Sequence, residues 1–125
     1  MDLPTAFVID HLGLVRPDDG VQGAQFQTLL ELLDSGRGWV KLSSPMRVSR
    51  ERKMPYGDTP PLYQALVEHN PERLVWGSDW PHIHYDQGVM PNDGDLLDLM
   101  LDWAPDSGVR KRILVENPRR LYDPA

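Results

Sequence analysis

Three short apolar runs punctuate the chain, and polar residues follow each of them. They are Ala6 to Asp10 (AFVID), Gly38 to Leu42 (GWVKL) and Leu74 to Trp76 (LVW), the last leading into Gly77-Ser78-Asp79. Short runs with β-branched or aromatic residues read as buried strands. Between them the spacing turns helical. Phe26, Leu29, Leu30 and Leu33 form an i, i+3, i+4, i+7 stripe within Gln22 to Leu33, and Gly36 stands at a suitable helix end. Asp58-Thr59-Pro60-Pro61 reads as a cap followed by a proline start, with Leu62, Leu66 and His69 on one face behind it. Asp95 to Trp103 reads as a helix bounded by Pro105. Val109 to Val115 reads as another, which Asn117-Pro118 breaks before a last turn, Arg119 to Tyr122.

The order is strand, loop, helix, three times over. Repeated βα units imply parallel strands joined by right-handed crossovers. The strand starts lie 32 and 36 residues apart. That spacing fits a (β/α)8 TIM barrel, which takes about 250 residues. The 125 residues therefore read as one partial α/β domain, 1–125, holding three βα units of an incomplete barrel. Three parallel strands leave two open edges and one uncovered sheet face. The expectation is a piece that needs an N-terminal half, or that self-associates. The longest connection, Ser43 to Thr59, is long enough to be a functional loop.

Composition narrows the classes. Hydrophobic residues make up 40% and charged residues 26%, which is globular usage. A net charge of -6 argues against nucleic acid, whose binding needs a basic face. Arg110-Lys111-Arg112 and Arg119-Arg120 read as solvated cations late in helices, where the dipole favours them. The absence of cysteine excludes disulfides and thiolate metal sites. The start, MDLPTAFVIDHLG, lacks a basic n-region and a long apolar h-region, so no signal peptide is expected. No apolar run nears the ~20 residues of a membrane span. The default expectation is a cytoplasmic protein with no membrane partner.

In a parallel barrel the chemistry lies at the C-terminal ends of the strands. Those ends carry Asp10-His11, Lys41 to Ser44, and Ser78-Asp79. Asp79 can accept a proton from water or ligate a metal through oxygen; the plainer reading is an Asx turn or a helix cap. His11 can polarise a carbonyl, move a proton or ligate a metal; the plainer reading is a core histidine bonded to backbone. Arg47, Arg50, Arg52 and Lys53 concentrate positive charge in the long loop. Arg47 is nearest the strand end and suits bidentate recognition of a carboxylate. Lys41 could point to either face of the sheet. His82-Ile83-His84 has the H-x-H spacing of metal ligands, and a small zinc module is one reading of it.

The motifs VIDHLG (Val8 to Gly13), VKLSSPMRVS (Val40 to Ser49), RLVWGSDWPH (Arg73 to His82) and ILVENPRRLY (Ile113 to Tyr122) stand in an order that resembles the amidohydrolase superfamily. The nearest likeness is the branch containing 2-pyrone-4,6-dicarboxylate lactonase and related sugar and muconolactone lactonases. The resemblance implies that these units are the last three of the barrel, with His11 closing the sixth strand and Asp79 the eighth. It implies Asp79 as general base and His11 among the histidines that polarise a lactone or amide carbonyl. It also implies Arg47 as the holder of a substrate carboxylate. Ser44 and His82 are the further substrate-binding candidates, and His82 is expected to order the loop after the eighth strand. The family's own H-x-H lies on its first strand, so His82-Ile83-His84 is not that motif. The cofactor implied is one divalent metal such as zinc, with Asp79 a possible ligand, or none. The substrate implied is a small anionic lactone. The alternative reading is an inactive half barrel that acts as an interaction module.

Overall fold

The computed structural model describes residues 4–83, 85 and 89–123. Its three strands are β1 (Phe7–Ile9), β2 (Gly38–Leu42) and β3 (Leu74–Trp76). They pair in parallel in the order β1-β2-β3, with Val8 opposite Trp39 and Lys41 opposite Val75. β2 and β3 keep the bounds expected from the sequence. β1 is shorter at both ends; at its C-terminal end the backbone turns left-handed directly after Asp10, at His11.

The first two gaps are crossovers through α1 (Ala24–Asp34) and α3 (Pro60–His69). Phe26, Leu29 and Leu33 of α1 are buried as their spacing requires. The helix ends where Gly36, at φ 73°, donates its N–H to the carbonyl of Leu33. Glycine takes that left-handed C′ conformation without steric cost. In α3, Leu62, Tyr63, Leu66 and Val67 are buried, while His69 is exposed and bonds Asp34 at 2.8 Å. Neither Asp58 nor Thr59 caps α3 with its side chain. Thr59 Oγ1 donates to the Tyr56 carbonyl, and Asp58 accepts from the Arg50 N–H.

Three expectations are corrected. The loop Ser43 to Thr59 contains a helical turn, α2 (Pro45–Val48), whose Met46 and Val48 are buried. Proline at its start and apolar anchoring fix a turn too short to show helical periodicity. The helix expected over Asp95 to Trp103 begins earlier and is split into α4 (Asp93–Asp98) and α5 (Met100–Trp103). Its start is set by Asn92, whose side chain accepts from the N–H groups of Gly94 and Asp95. Asn117-Pro118 does not break the last helix. α6 (Ser107–Lys111) continues through a π-turn, Arg112–Glu116, into α7 (Asn117–Tyr122). The Asn117 N–H reaches back five residues to the Arg112 carbonyl. Proline lacks an N–H and crowds the carbonyl four residues back, and the wider turn accommodates both effects.

Val40, Leu42 and Leu74 point into one core with the buried side chains of α1, α3 and α5. Strand alternation then sends Val8, Trp39, Lys41 and Val75 to the other face. That face, expected to be uncovered, is covered in part: Trp39 and Val75 are only 4% and 1% exposed, while Val8 is 36% exposed. The guanidinium carbons of Arg73 and Arg120 lie 5.1 and 5.6 Å from the Trp39 ring centre. Among the described residues no helix is long and apolar enough to cross a membrane.

Candidate functional site

The parallel sheet brings all three strand ends to one edge, and the site is assembled from the residues that follow them. After β1 the chain makes a left-handed turn, with His11, Leu12, Gly13 and Leu14 at φ 53°, 52°, 61° and 55°. A left-handed residue other than glycine costs on the order of 1 kcal/mol, so packing must hold the turn. Leu12, fully buried in the core, supplies an anchor. After β2, Ser43 and Ser44 are both buried, and Ser44 is itself left-handed at φ 49°, ψ 51°. After β3, Asp79 has φ 64°, and its carbonyl accepts from the His82 N–H at 2.8 Å. Every strand end thus departs from ordinary backbone geometry within three residues.

These departures bring side chains together. His11 Nδ1 lies 2.7 Å from Ser43 Oγ. His11 Nε2 lies 3.6 Å from Asp79 Oδ1, too far for a direct hydrogen bond. Ser44 Oγ donates to the other carboxylate oxygen, Asp79 Oδ2, at 2.5 Å. The His11 and Asp79 side chains keep 15% and 29% of their surface exposed, so small molecules can reach both. Burial lowers the His11 pKa from its usual 6.5, against the opposing pull of Asp79 and Asp10. The imidazole is therefore mainly neutral at pH 7. The Asp79 carboxylate binds Ser44 rather than its own backbone, and the local turn is made by Ser78 Oγ, which accepts from the Trp80 N–H.

Arg47 sits on α2, close enough for its charge to contribute to lowering the His11 pKa. Its guanidinium makes no hydrogen bond or ion pair among the described residues, whereas Arg50 is paired bidentately with Asp18. Arg16 buttresses α2 from below, donating to the carbonyls of Arg47 at 2.9 Å and Val48 at 3.3 Å. Lys41 lies on the face away from the helices and pairs with Asp10 at 2.7 Å, a hydrogen bond that raises its pKa. Gly77 makes room for it, since a Cβ there would lie 3.3 Å from the lysine Cδ. Ser43 and Arg16 were not singled out in the sequence. Only their partners, more than 30 residues away, reveal what they do.

His82 lies apart from these contacts. Its ring is buried and Nε2 meets Asp93 Oδ1 at 3.0 Å, which ties the loop after β3 to the start of α4. Nδ1 has no partner. His84 lies outside the described residues. A divalent metal beside His11 and Asp79 would find two donors, and among the described residues no group of three His, Asp or Glu converges anywhere. Catalytic zinc takes three protein ligands, so the pair does not by itself fit a metal centre.

Residues 2–123 match the family model described as amidohydrolase. A 4-sulfomuconolactone hydrolase of Hydrogenophaga intermedia is 47% identical over 123 residues, which cover 98% of this chain and 40% of that protein. An apo crystal structure from Agrobacterium tumefaciens superposes with a TM-score of 0.79 at 37% identity, covering 97% of this chain and 43% of the other. A probable 2-pyrone-4,6-dicarboxylic acid hydrolase from Acinetobacter baumannii, with citric acid bound, gives 0.74 at 28% identity, covering 94% and 43%. The chain spans about two fifths of the length of the relatives it matches. With nearly every residue inside the family match, the chain belongs to the amidohydrolase family.

Proposed function

We propose that this chain forms the last three βα units of a (β/α)8 barrel and supplies part of a site that opens a carboxylated or sulfonated lactone by water attack. The observation that carries the reading is the facing of His11 Nε2 and Asp79 Oδ1 across 3.6 Å at the C-terminal edge of a parallel sheet. Ser44 occupies Oδ2, which leaves Oδ1 to accept a proton. In this reading Asp79 takes a proton from water as the oxygen attacks the lactone carbonyl carbon. His11 donates a hydrogen bond to the oxygen on which negative charge develops. Collapse of the tetrahedral adduct breaks the ring C–O bond, and the leaving oxygen takes the proton from Asp79. Arg47, unpaired among the described residues, grips an anionic substituent of the ring, in keeping with the citrate bound by the Acinetobacter baumannii neighbour. Ser44 and His82 act by holding Asp79 and the loop after β3 in place.

Lactone hydrolysis is supported by the 47% identity to a 4-sulfomuconolactone hydrolase. The remaining barrel strands come from residues this chain does not include. No relative or neighbour supports the interaction-module reading. The test is complementation: the chain is combined with the uncovered part of the Hydrogenophaga intermedia protein, and ring opening is followed by pH-stat. Turnover of 4-sulfomuconolactone that needs both parts supports the proposal. A folded, stoichiometric complex inert toward sulfonated and carboxylated lactones contradicts it.

A further inference from the structure

We infer that Ser43 is a positioning residue that fixes the tautomer of His11, holding the proton on Nε2, the ring nitrogen that faces Asp79 Oδ1. The inference concerns the site of the proposed function but rests on contacts that stand without it.

Ser43 is 1% exposed, so its hydroxyl proton cannot go to solvent. A buried hydroxyl requires an acceptor. The His11 Nδ1 at 2.7 Å is the one side-chain partner of Ser43 Oγ among the described residues. If Nδ1 carried the proton, it would donate to Ser43 and the serine proton would be stranded. The opposite end of the ring gives an independent reason. Nε2 faces a carboxylate oxygen at 3.6 Å, and a bare nitrogen there would set one lone pair against another. Both ends of the imidazole therefore select the same tautomer. Burial, which favours the neutral ring, makes the choice of tautomer matter at neutral pH.

Ser43 is itself held. Its carbonyl accepts from Tyr63 Oη at 2.9 Å, and the Tyr63 ring stacks on Trp103 with centroids 3.7 Å apart and planes 9° from parallel. A helix–helix aromatic contact thereby steadies a serine, and the serine aims a histidine. The division of labour follows: Asp79 accepts protons, while His11 offers one without surrendering it.

Long-range nitrogen–proton NMR of the uniformly labelled chain reads the tautomer directly, because the protonated ring nitrogen resonates far upfield of the bare one. Spectra are recorded near pH 8, above the ordinary histidine range. The His11 signals are assigned by their loss in His11→Gln. The wild-type chain is expected to show Nε2–H alone. Ser43→Ala is expected to bring in a clearly visible Nδ1–H fraction, and Ser43→Thr, which keeps the hydroxyl, to restore the wild-type pattern. If Ser43→Ala does not fold, Ser43→Cys, of similar size and a weak donor, must show the same mixing. An Nδ1–H wild type overturns the inference, as does an alanine or cysteine variant with pure Nε2–H. Loss of the lactonase reading would leave these spectra unchanged.

Discussion

The two ends of the sheet both concentrate polar residues, but they use them in opposite ways. At the start of the strands Asn117 and Glu72 have their polar valences filled. Asn117, fully buried, donates its amide to the carbonyls of Pro71 at 2.7 Å and Leu74 at 2.8 Å. Glu72 takes both Arg112 at 2.8 Å and Arg120 at 3.1 Å, while Arg120 and Arg73 cover Trp39. At the far end the valences are held open. Asp79 has one oxygen engaged and the other facing His11 without a direct bond, and the Arg47 guanidinium is unpaired among the described residues. Charge density alone would not separate the two ends. What separates them is satisfaction: filled groups stabilise the fold, and groups oriented but unfilled are those the proposed function assigns to a ligand.

This contrast can be broken by substitution. Apart from loss of the base at Asp79, the largest effect is expected from His11→Asn in the complemented enzyme. Loss of one donor to a developing oxyanion typically lowers kcat about 10²–10³-fold, so kinetics should collapse while the melting temperature of the assembly holds. Next comes the opposite end. Asn117→Ala strands two carbonyls that its amide now serves, and urea unfolding should show a loss of about 2–3 kcal/mol with kcat of the surviving folded enzyme unchanged. Arg47→Met should raise KM for an anionic lactone roughly 10-fold, about 1.4 kcal/mol, and leave kcat nearly as it was, which steady-state kinetics will resolve. The smallest effect is expected from Glu72→Gln. Its ion pairs are half exposed, so thermal melts should register under about 1 kcal/mol, fading as salt is added.

How much of this was legible in the sequence depended on range. β2 and β3 could be read from their apolar runs because burial on the helix-covered side decides them locally. The parity of β2 also places Lys41 once Val40 and Leu42 are known to enter the core, although both directions remained open in the sequence. Asp79 and His11 stood out because a βα pattern marks strand ends. Their supports did not. Ser43 meets His11 across 32 residues and Ser44 meets Asp79 across 35, pairings that local sequence does not encode. The early end of β1 escaped notice for a related reason. A left-handed turn at His11 and Leu12 is unfavourable for those residue types, and tertiary packing of Leu12 overrides the preference. Pro118 misled in the other direction. Proline normally ends a helix, but the π-turn before it absorbs the missing N–H.

The central claim is that Asp79, held through one oxygen by Ser44, uses the other to take a proton from water. Asp79→Asn tests it most directly, because the amide keeps the size of the side chain and loses the base. With the N-terminal part supplied, lactone ring opening by this variant should fall about 10²–10⁴-fold, the range for loss of a general base, while the thermal midpoint stays close to wild type. Ring opening at the wild-type rate would contradict the claim.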